Sequence, residues 1–209
     1  MKQLLRLDCS ARIAGSHSRE LADYFEQQWT MANPAGIVVR RDLAQQPVPH
    51  IQDNTIEGFY TPAEYVTPEV IKATALSDEL IAELKAADEV LISSPLYNLN
   101  VPSSLKAYLD QVVRIGHTFN RNESGFYGLL ENKVAYLITA KGGVYKGTPM
   151  EQYDFQAPYL QAILGYMGIQ QQTVLSLEGT SDSRVVENNK LAVRNQINHL
   201  FKSKSHAAA

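Results

Sequence analysis

Five short apolar runs, each followed by a stretch of helical periodicity, constrain this 209-residue chain more than any other feature. They are "QLLRLD" at 3–8, "GIVVR" at 36–40, the run at 89–93, "KVAYLIT" at 133–139 and residues 171–177. Between them, Leu21, Phe25 and Trp29 recur every four residues within 16–31, and Leu76, Leu80, Ile81 and Leu84 mark a helix before the third run. Leu105, Tyr108, Leu109 and Val112 repeat at i, i+3, i+4 and i+7, with Pro102 suited to the first turn and Gly116 to the stop. Two more helices are predicted, over 154–167 and along Val186, Val193, Ile197 and Leu200. Near-continuous apolar strands that alternate with helices imply a parallel sheet covered on both faces, with right-handed crossovers.

For five strands in one domain, this pattern predicts a three-layer αβα fold with the flavodoxin-like order 2-1-3-4-5. The domain spans 1–202, and "KSKSHAAA" predicts a disordered tail at 203–209. Three connections are long: 42–67, 117–131 and 141–153. The last two are expected to feed the carboxyl edge of the sheet, where open α/β folds bind ligands. Nineteen basic and 22 acidic residues are well mixed, for a net charge of −3. That balance argues against nucleic acid or an anionic membrane as a partner and favours a small molecule. A single cysteine, Cys9, excludes an intrachain disulfide and fits a reducing compartment, so the expected location is the cytoplasm. No apolar run approaches the roughly 20 residues that span a bilayer, and the first residues enter a strand without a signal-peptide pattern. The five histidines, at 17, 50, 117, 199 and 206, form neither a triad nor a metal-binding spacing, so no metal is expected.

Three loops carry chemistry. The first, "CSARIAGSHSREL" at 9–21, lacks both the dinucleotide fingerprint and the triphosphate-binding glycine loop. Its hydroxyls at Ser10, Ser16 and Ser18, beside a helix start, suit a monophosphate; the same serines also suit a helix cap and a turn. In the second, "PLYNLNVPS", Pro95 and Pro102 stiffen the backbone around Tyr97, Asn98 and Leu99. These side chains could face a flat heterocycle, the amide of Asn98 pairing with its imide edge, or could form an ordinary strand exit. The third, "TAKGGVYKG", has Gly142 and Gly143, which allow close backbone approach or a plain turn. Taken together on the carboxyl ends of strands 1, 3 and 4, the three loops would fit flavin mononucleotide (FMN).

The combination of Ser10, Ser16-His17-Ser18, "PLYNLNVPSSLKAYLDQVVRIGHTF" and "KGGVY" resembles the FMN-dependent NADH-azoreductases, a flavodoxin-like family of homodimeric quinone and azo-dye reductases. The likeness runs nearly end to end, through "ADYFEQQW", "LSDELIAELKAAD" and "LGYMGI". It implies that Ser10 and Ser16 to Ser18 hold the FMN phosphate, that Pro95 and Leu96 to Leu99 line the ring, and that Ala140, Lys141, Gly142 and Gly143 meet its other edge. It also implies ping-pong transfer of two electrons as hydride, from NADH or NADPH to quinones and azo compounds, with the flavin carrying the chemistry and no catalytic side chain. The sites of the homodimer would lie at the subunit interface. Phe59, Tyr60, His117, Phe119, Tyr127 and Tyr145 are the candidates for the substrate pocket. The family's usual Met-Tyr-Asn-Phe is here Leu96 to Leu99, Ala140 replaces a common serine, and residues 120–128 depart from the expected sequence. Readings from other classes are a flavodoxin-type electron carrier, which the mild charge disfavours, and an acyl-carrier-protein phosphodiesterase-like hydrolase, which would need a nucleophile–base pair. Arg40 and Arg41 are read as a solvated basic pair and Cys9 as a packed thiol.

Overall fold

A computed structural model describes residues 1–207, with side chains described through Lys202; the disordered tail expected at 203–209 lies outside the residues described in full. The elements in chain order are β1 (Gln3–Asp8), α1 (His17–Ala32), β2 (Ile37–Asp42), α2 (Asp53–Tyr60), α3 (Pro68–Ala86), β3 (Glu89–Pro95) and α4 (Ser103–Val112). They continue with β4 (Phe119–Asn122), β5 (Gly125–Gly128), β6 (Val134–Ala140), α5 (Gln156–Tyr166), β7 (Gln171–Leu177) and α6 (Val186–Ala207). Five strands form a parallel sheet in the order β2-β1-β3-β6-β7. This is the expected 2-1-3-4-5 with a separate β4–β5 hairpin inserted in the numbering.

The strand period of two divides the core between the faces of the sheet. Leu5, Leu7, Val90, Ile92, Ala135 and Leu137 pack with Leu80 and Leu84 of α3, Leu105 and Leu109 of α4, and Leu160 and Leu164 of α5. The alternate residues Leu4, Leu91, Tyr136 and Ile138 pack with Phe25 and Trp29 of α1 and Val193 and Ile197 of α6. Phe25 and Tyr136 meet at 4.7 Å between ring centroids, and the Trp29 indole donates to Glu89 at 2.9 Å. Each of these large apolar side chains contributes about 1.5–3 kcal/mol on burial, so the two clusters hold the strand ends in place.

Local signals set several boundaries. Ser16 caps α1, and Thr67 with Pro68 starts α3. Gly116 does not stop α4, which ends at Val112; its φ of +76° instead makes the turn leading into β4. The segment 117–131 also differs from expectation. Because β3 and β6 are parallel, α4 returns the chain to the amino edge of the sheet, and the hairpin forms there rather than at the carboxyl edge. It is fastened by Leu130 N donating to the Met167 carbonyl, beside the turn that precedes β7. Arg40 and Arg41 are not a solvated pair: Arg40 binds Glu26, whereas Arg41 binds Glu79 and Glu83 of α3. No helix among the described residues is long and apolar enough to cross a membrane.

Candidate functional site

The carboxyl ends of β1, β3, β6 and β7 open into a cleft of about 520 Å³. Nine of the thirteen residues anticipated at a flavin site line it: Ser10, Ser16, His17, Ser18, Pro95, Leu96, Tyr97, Ala140 and Gly142. Arg12, Gly15, Thr180 and Ser181 also line it and were not anticipated. The last two come from a small polar loop after β7, "EGTSDS", whose position at the carboxyl edge was the signal available in the sequence.

One wall is the start of α1. Ser16 Oγ accepts from Arg19 N at 3.5 Å and lies 3.3 Å from Ser18 Oγ, while Ser10 Oγ accepts from Arg12 N at 3.2 Å. Ser16 therefore both caps the helix and faces the cleft. First-turn amides and the helix dipole make this end favourable for an anion. Burial, then the nearby Lys190 ammonium, lowers the His17 pKa, which favours the neutral imidazole. Arg12 supplies the only formal charge among the lining side chains, and it is exposed.

The middle wall is the β3 exit. Tyr97 and Asn100 exchange two backbone hydrogen bonds, 2.9 and 3.0 Å, around Asn98 at φ +49° and Leu99 at φ +70°. Two successive left-handed residues make a type I′ turn, a conformation that costs about 1–2 kcal/mol for a residue such as leucine. Gln156, fully buried on α5, holds this exit from below: its Nε2 donates to the carbonyls of Ser94 (3.1 Å) and Pro95 (2.7 Å). Asn98 and Leu99 occupy the tip of the turn, outside the cleft lining.

The far wall joins the loops after β6 and β7. Thr180 N and Ser181 N donate to the Lys141 and Gly142 carbonyls, at 3.0 and 3.1 Å. A Cβ on Gly142 would lie 2.9 Å from Ser181 Oγ, so glycine permits this approach. Gly143 accepts from Gly179 N and does not line the cleft. Lys141 points away from it: its ammonium is buried and pairs with Asp154 and with Glu178 at 3.2 Å. Burial raises the Glu178 pKa, but the amides of Tyr145 and Lys146 and the Lys141 charge outweigh it, so the carboxylate is held below its ordinary value.

None of the six residues anticipated for a substrate pocket lines this cleft. Tyr145 is buried beneath the Lys141 ammonium, 5.7 Å from its ring centroid, and Phe59 lies under the Arg114 guanidinium at 4.8 Å. Tyr60 is exposed on α2. His117, Phe119 and Tyr127 follow α4 to the amino edge, where Phe119 packs on Tyr166 at 4.7 Å. Burial, then the Arg114 charge, lowers the His117 pKa. Cys9 is a fully buried thiol whose pKa burial pushes up, which makes it a packing residue.

The family model for the flavodoxin-like fold matches residues 2–200. The chain belongs to this family. It is similar to an FMN-dependent NADH:quinone oxidoreductase of Xanthobacter autotrophicus, 51% identical over 170 residues that cover 80% of this chain and 82% of the relative. A protein with the same name from Herminiimonas arsenicoxydans is 41% identical over 202 residues, covering 96% and 99%. Among solved structures, an azoreductase from Bacillus anthracis superposes with a TM-score of 0.90 at 26% identity, covering 97% of this chain and 100% of that one.

Proposed function

We propose that the chain is an FMN-dependent NAD(P)H:quinone oxidoreductase that also reduces azo compounds. The observation that carries this reading is the meeting of a helix N-terminus, an apolar wall and a glycine-bearing loop in one cleft. Its volume lies within the roughly 300–1,000 Å³ of small-molecule sites, and its donors suit a phosphate monoester joined to a flat ring. Bound FMN would accept hydride from NADH or NADPH and supply two electrons to the oxidant. Ser10, Ser16, His17 and Ser18 hold the phosphate with first-turn amides, and Arg12 adds one positive charge. Pro95, Leu96 and Tyr97 cover the ring and exclude water, while Ala140 and Gly142 bring the opposite backbone close to it. Asn98, Leu99, Lys141 and Gly143 shape these walls.

Residues 1–202 act as one FMN-binding domain, in the cytoplasm and as a homodimer. Phe59, Tyr60, Phe119 and Tyr127 stand away from their own cleft, and Tyr60 and Tyr127 offer exposed aromatic surface to a second copy, whose cleft they would complete. Sedimentation across a dilution series tests the dimer: activity should fall with dissociation, and constant activity in monomers would remove the shared site. The decisive experiment is an absorbance spectrum of the protein reconstituted with FMN, then with anaerobic NADH, then with menadione or methyl red. Flavin bands should be retained, bleach with NADH and return with the oxidant. Loss of all flavin on desalting would overturn the reading.

A further inference from the structure

The phosphate-binding loop, residues 10–16, is a thin partition. Its inner side faces the cleft described above; behind it, between α1 and β2, lies a second recess of about 430 Å³ lined by Arg6, Asp8, Ile13, Arg19, Asp23, Arg40, Asp42 and two glutamines. The charges of that recess satisfy one another. Arg6 pairs with Asp8, Asp23 and Glu26, and Arg40 with Glu26, which leaves no free cation or anion to recruit a ligand. Only one of these groups reaches into the partition itself. Arg19, in the first turn of α1, makes a two-pronged bond to Asp42 at 2.6 and 2.7 Å, and the second prong also donates to the Ser10 carbonyl at 2.8 Å.

We infer that Arg19 and Asp42 are a positioning pair for the phosphate-binding loop and set the preference for phosphorylated over unphosphorylated flavin. The inference rests on the cleft being an FMN site. Asp42 is fixed independently of Arg19, because it also accepts from Ala44 N at 2.9 Å and Gln45 Nε2 at 2.7 Å. An anchored carboxylate fixes the guanidinium, and the guanidinium fixes the Ser10 carbonyl. That carbonyl is thereby turned behind the loop and neutralised, where a free carbonyl dipole could instead point at the phosphate. The same hold sets where Ser10 Oγ stands relative to Ser16 and Ser18. Residues 11–15 are exposed, and Gly15 has φ +69°, so few other contacts restrain the loop. Asp8 extends the belt across the sheet: it accepts from Ser93 Oγ at 2.7 Å and lies 3.9 Å from Arg19. Neither Arg19 nor Asp42 lines the cleft, so both act through Ser10 and the helix start.

The test is to titrate wild type, Asp42→Asn and Arg19→Lys, each stripped of flavin, with FMN and with riboflavin, reading the quenching of flavin fluorescence. Riboflavin carries the same ring without the phosphate, so it reports damage that is not specific to the cradle. Wild type should prefer FMN strongly. Each variant should lose about tenfold in FMN affinity with riboflavin affinity held within about twofold, a difference of roughly 1.4 kcal/mol confined to the phosphate. Lysine retains the charge but cannot span Asp42 and Ser10 with one planar fork, so Arg19→Lys should resemble Asp42→Asn. If Asp42→Asn does not fold, Arg19→Lys decides alone. An unchanged FMN-to-riboflavin ratio in the folded variants would overturn the positioning role, as would equal weakening of both ligands. A wild type that binds FMN and riboflavin equally would instead remove the phosphate site itself.

Discussion

At the carboxyl edge of the sheet, the loops after β1 and β6 are each backed by a cation withdrawn from the cleft, Arg19 and Lys141, whereas at the amino edge the hairpin is held by backbone touching backbone at Gly128 and Gly168. The first arrangement lets the cleft walls remain nearly neutral while charge behind them fixes their shape. The second uses no ion pair among the described residues: close backbone packing at the two glycines, the bond from Leu130 N to the Met167 carbonyl and the packing of Phe119 on Tyr166 hold it. Within one protomer the cleft and the steric closure of the hairpin thus lie at opposite ends of the same strands.

The largest expected effect is at Lys141. In Lys141→Met, Asp154 and Glu178 lose their shared cation in a largely buried place, and removal of one partner from such a cluster costs about 3 kcal/mol or more. For a chain of this size that lowers Tm by roughly 6–12 °C, measured by thermal unfolding, and FMN should bind less tightly because the loop after β6 loses its backing. A loss below about 1 kcal/mol would mean that water replaces the ammonium and that the two edges differ less than the geometry implies.

Gly128→Ala sharpens the contrast from the other end. Its Cβ would fall 2.1 Å from Gly168 N, a backbone atom, so the hairpin must move. Overpacking of this kind costs about 1–3 kcal/mol, readable in urea unfolding. Because no hairpin residue lines the protomer's own cleft, FMN affinity should stay within about twofold, while a shift of Tyr127 would show in turnover with the oxidant. A large fall in FMN affinity would couple the edges and break the distinction between them.

Acid separates the edges more gently. The hydrogen bonds from Arg19 outweigh desolvation and hold Asp42 well below the usual carboxylate range, and Glu178 is lowered as described. Both bind fewer protons folded than unfolded, so their contribution to stability is complete above the unfolded carboxylate pKa, about 4, and is lost as pH falls below it towards the folded values. Asp42→Asn should therefore be less stable than wild type at pH 7, and the gap should narrow steadily from about pH 4 downwards in a series of urea curves. A gap independent of pH would show that Asp42 acts by shape alone.

The sheet order and nearly all helices were legible because buried parallel strands read as continuous apolar runs, and helices such as Leu105–Val112 show their inner face. The convergence of Ser10, Pro95 and Gly142 was legible for the same reason: strand order places those loops side by side. What escaped the sequence depends on direction. Lys141 follows Ala140 in the chain, yet its side chain turns behind the wall to Asp154, a partner thirteen residues away that no local pattern reveals. The hairpin "FNRNESGFYG" is short and polar at its turn, so its sequence looks like a loop, and only the direction of α4 back down the sheet shows which edge it lies on. Thr180 and Ser181 were missed because a two-residue polar stretch has no periodicity; only the parallel topology shows that it reaches the cleft.

The smallest effect tests strain at the functional edge. Leu99 occupies φ +70° with no glycine to relieve it, and its carbonyl accepts from Phe155 N at 3.1 Å, which ties the turn to the start of α5. Leu99→Gly removes the Cβ clash but adds freedom to the unfolded chain and discards a partly buried side chain, so the net gain is at most about 1 kcal/mol. Leu99→Val meets the same clash with a branched side chain and should lose stability. Urea midpoints in the order glycine, leucine, valine would show that the I′ turn is strained and that the surrounding structure, through Gln156 and Phe155, imposes it. Glycine falling below leucine would mean that the side chain's packing outweighs the backbone, and the carboxyl edge would then hold no stored strain at this turn.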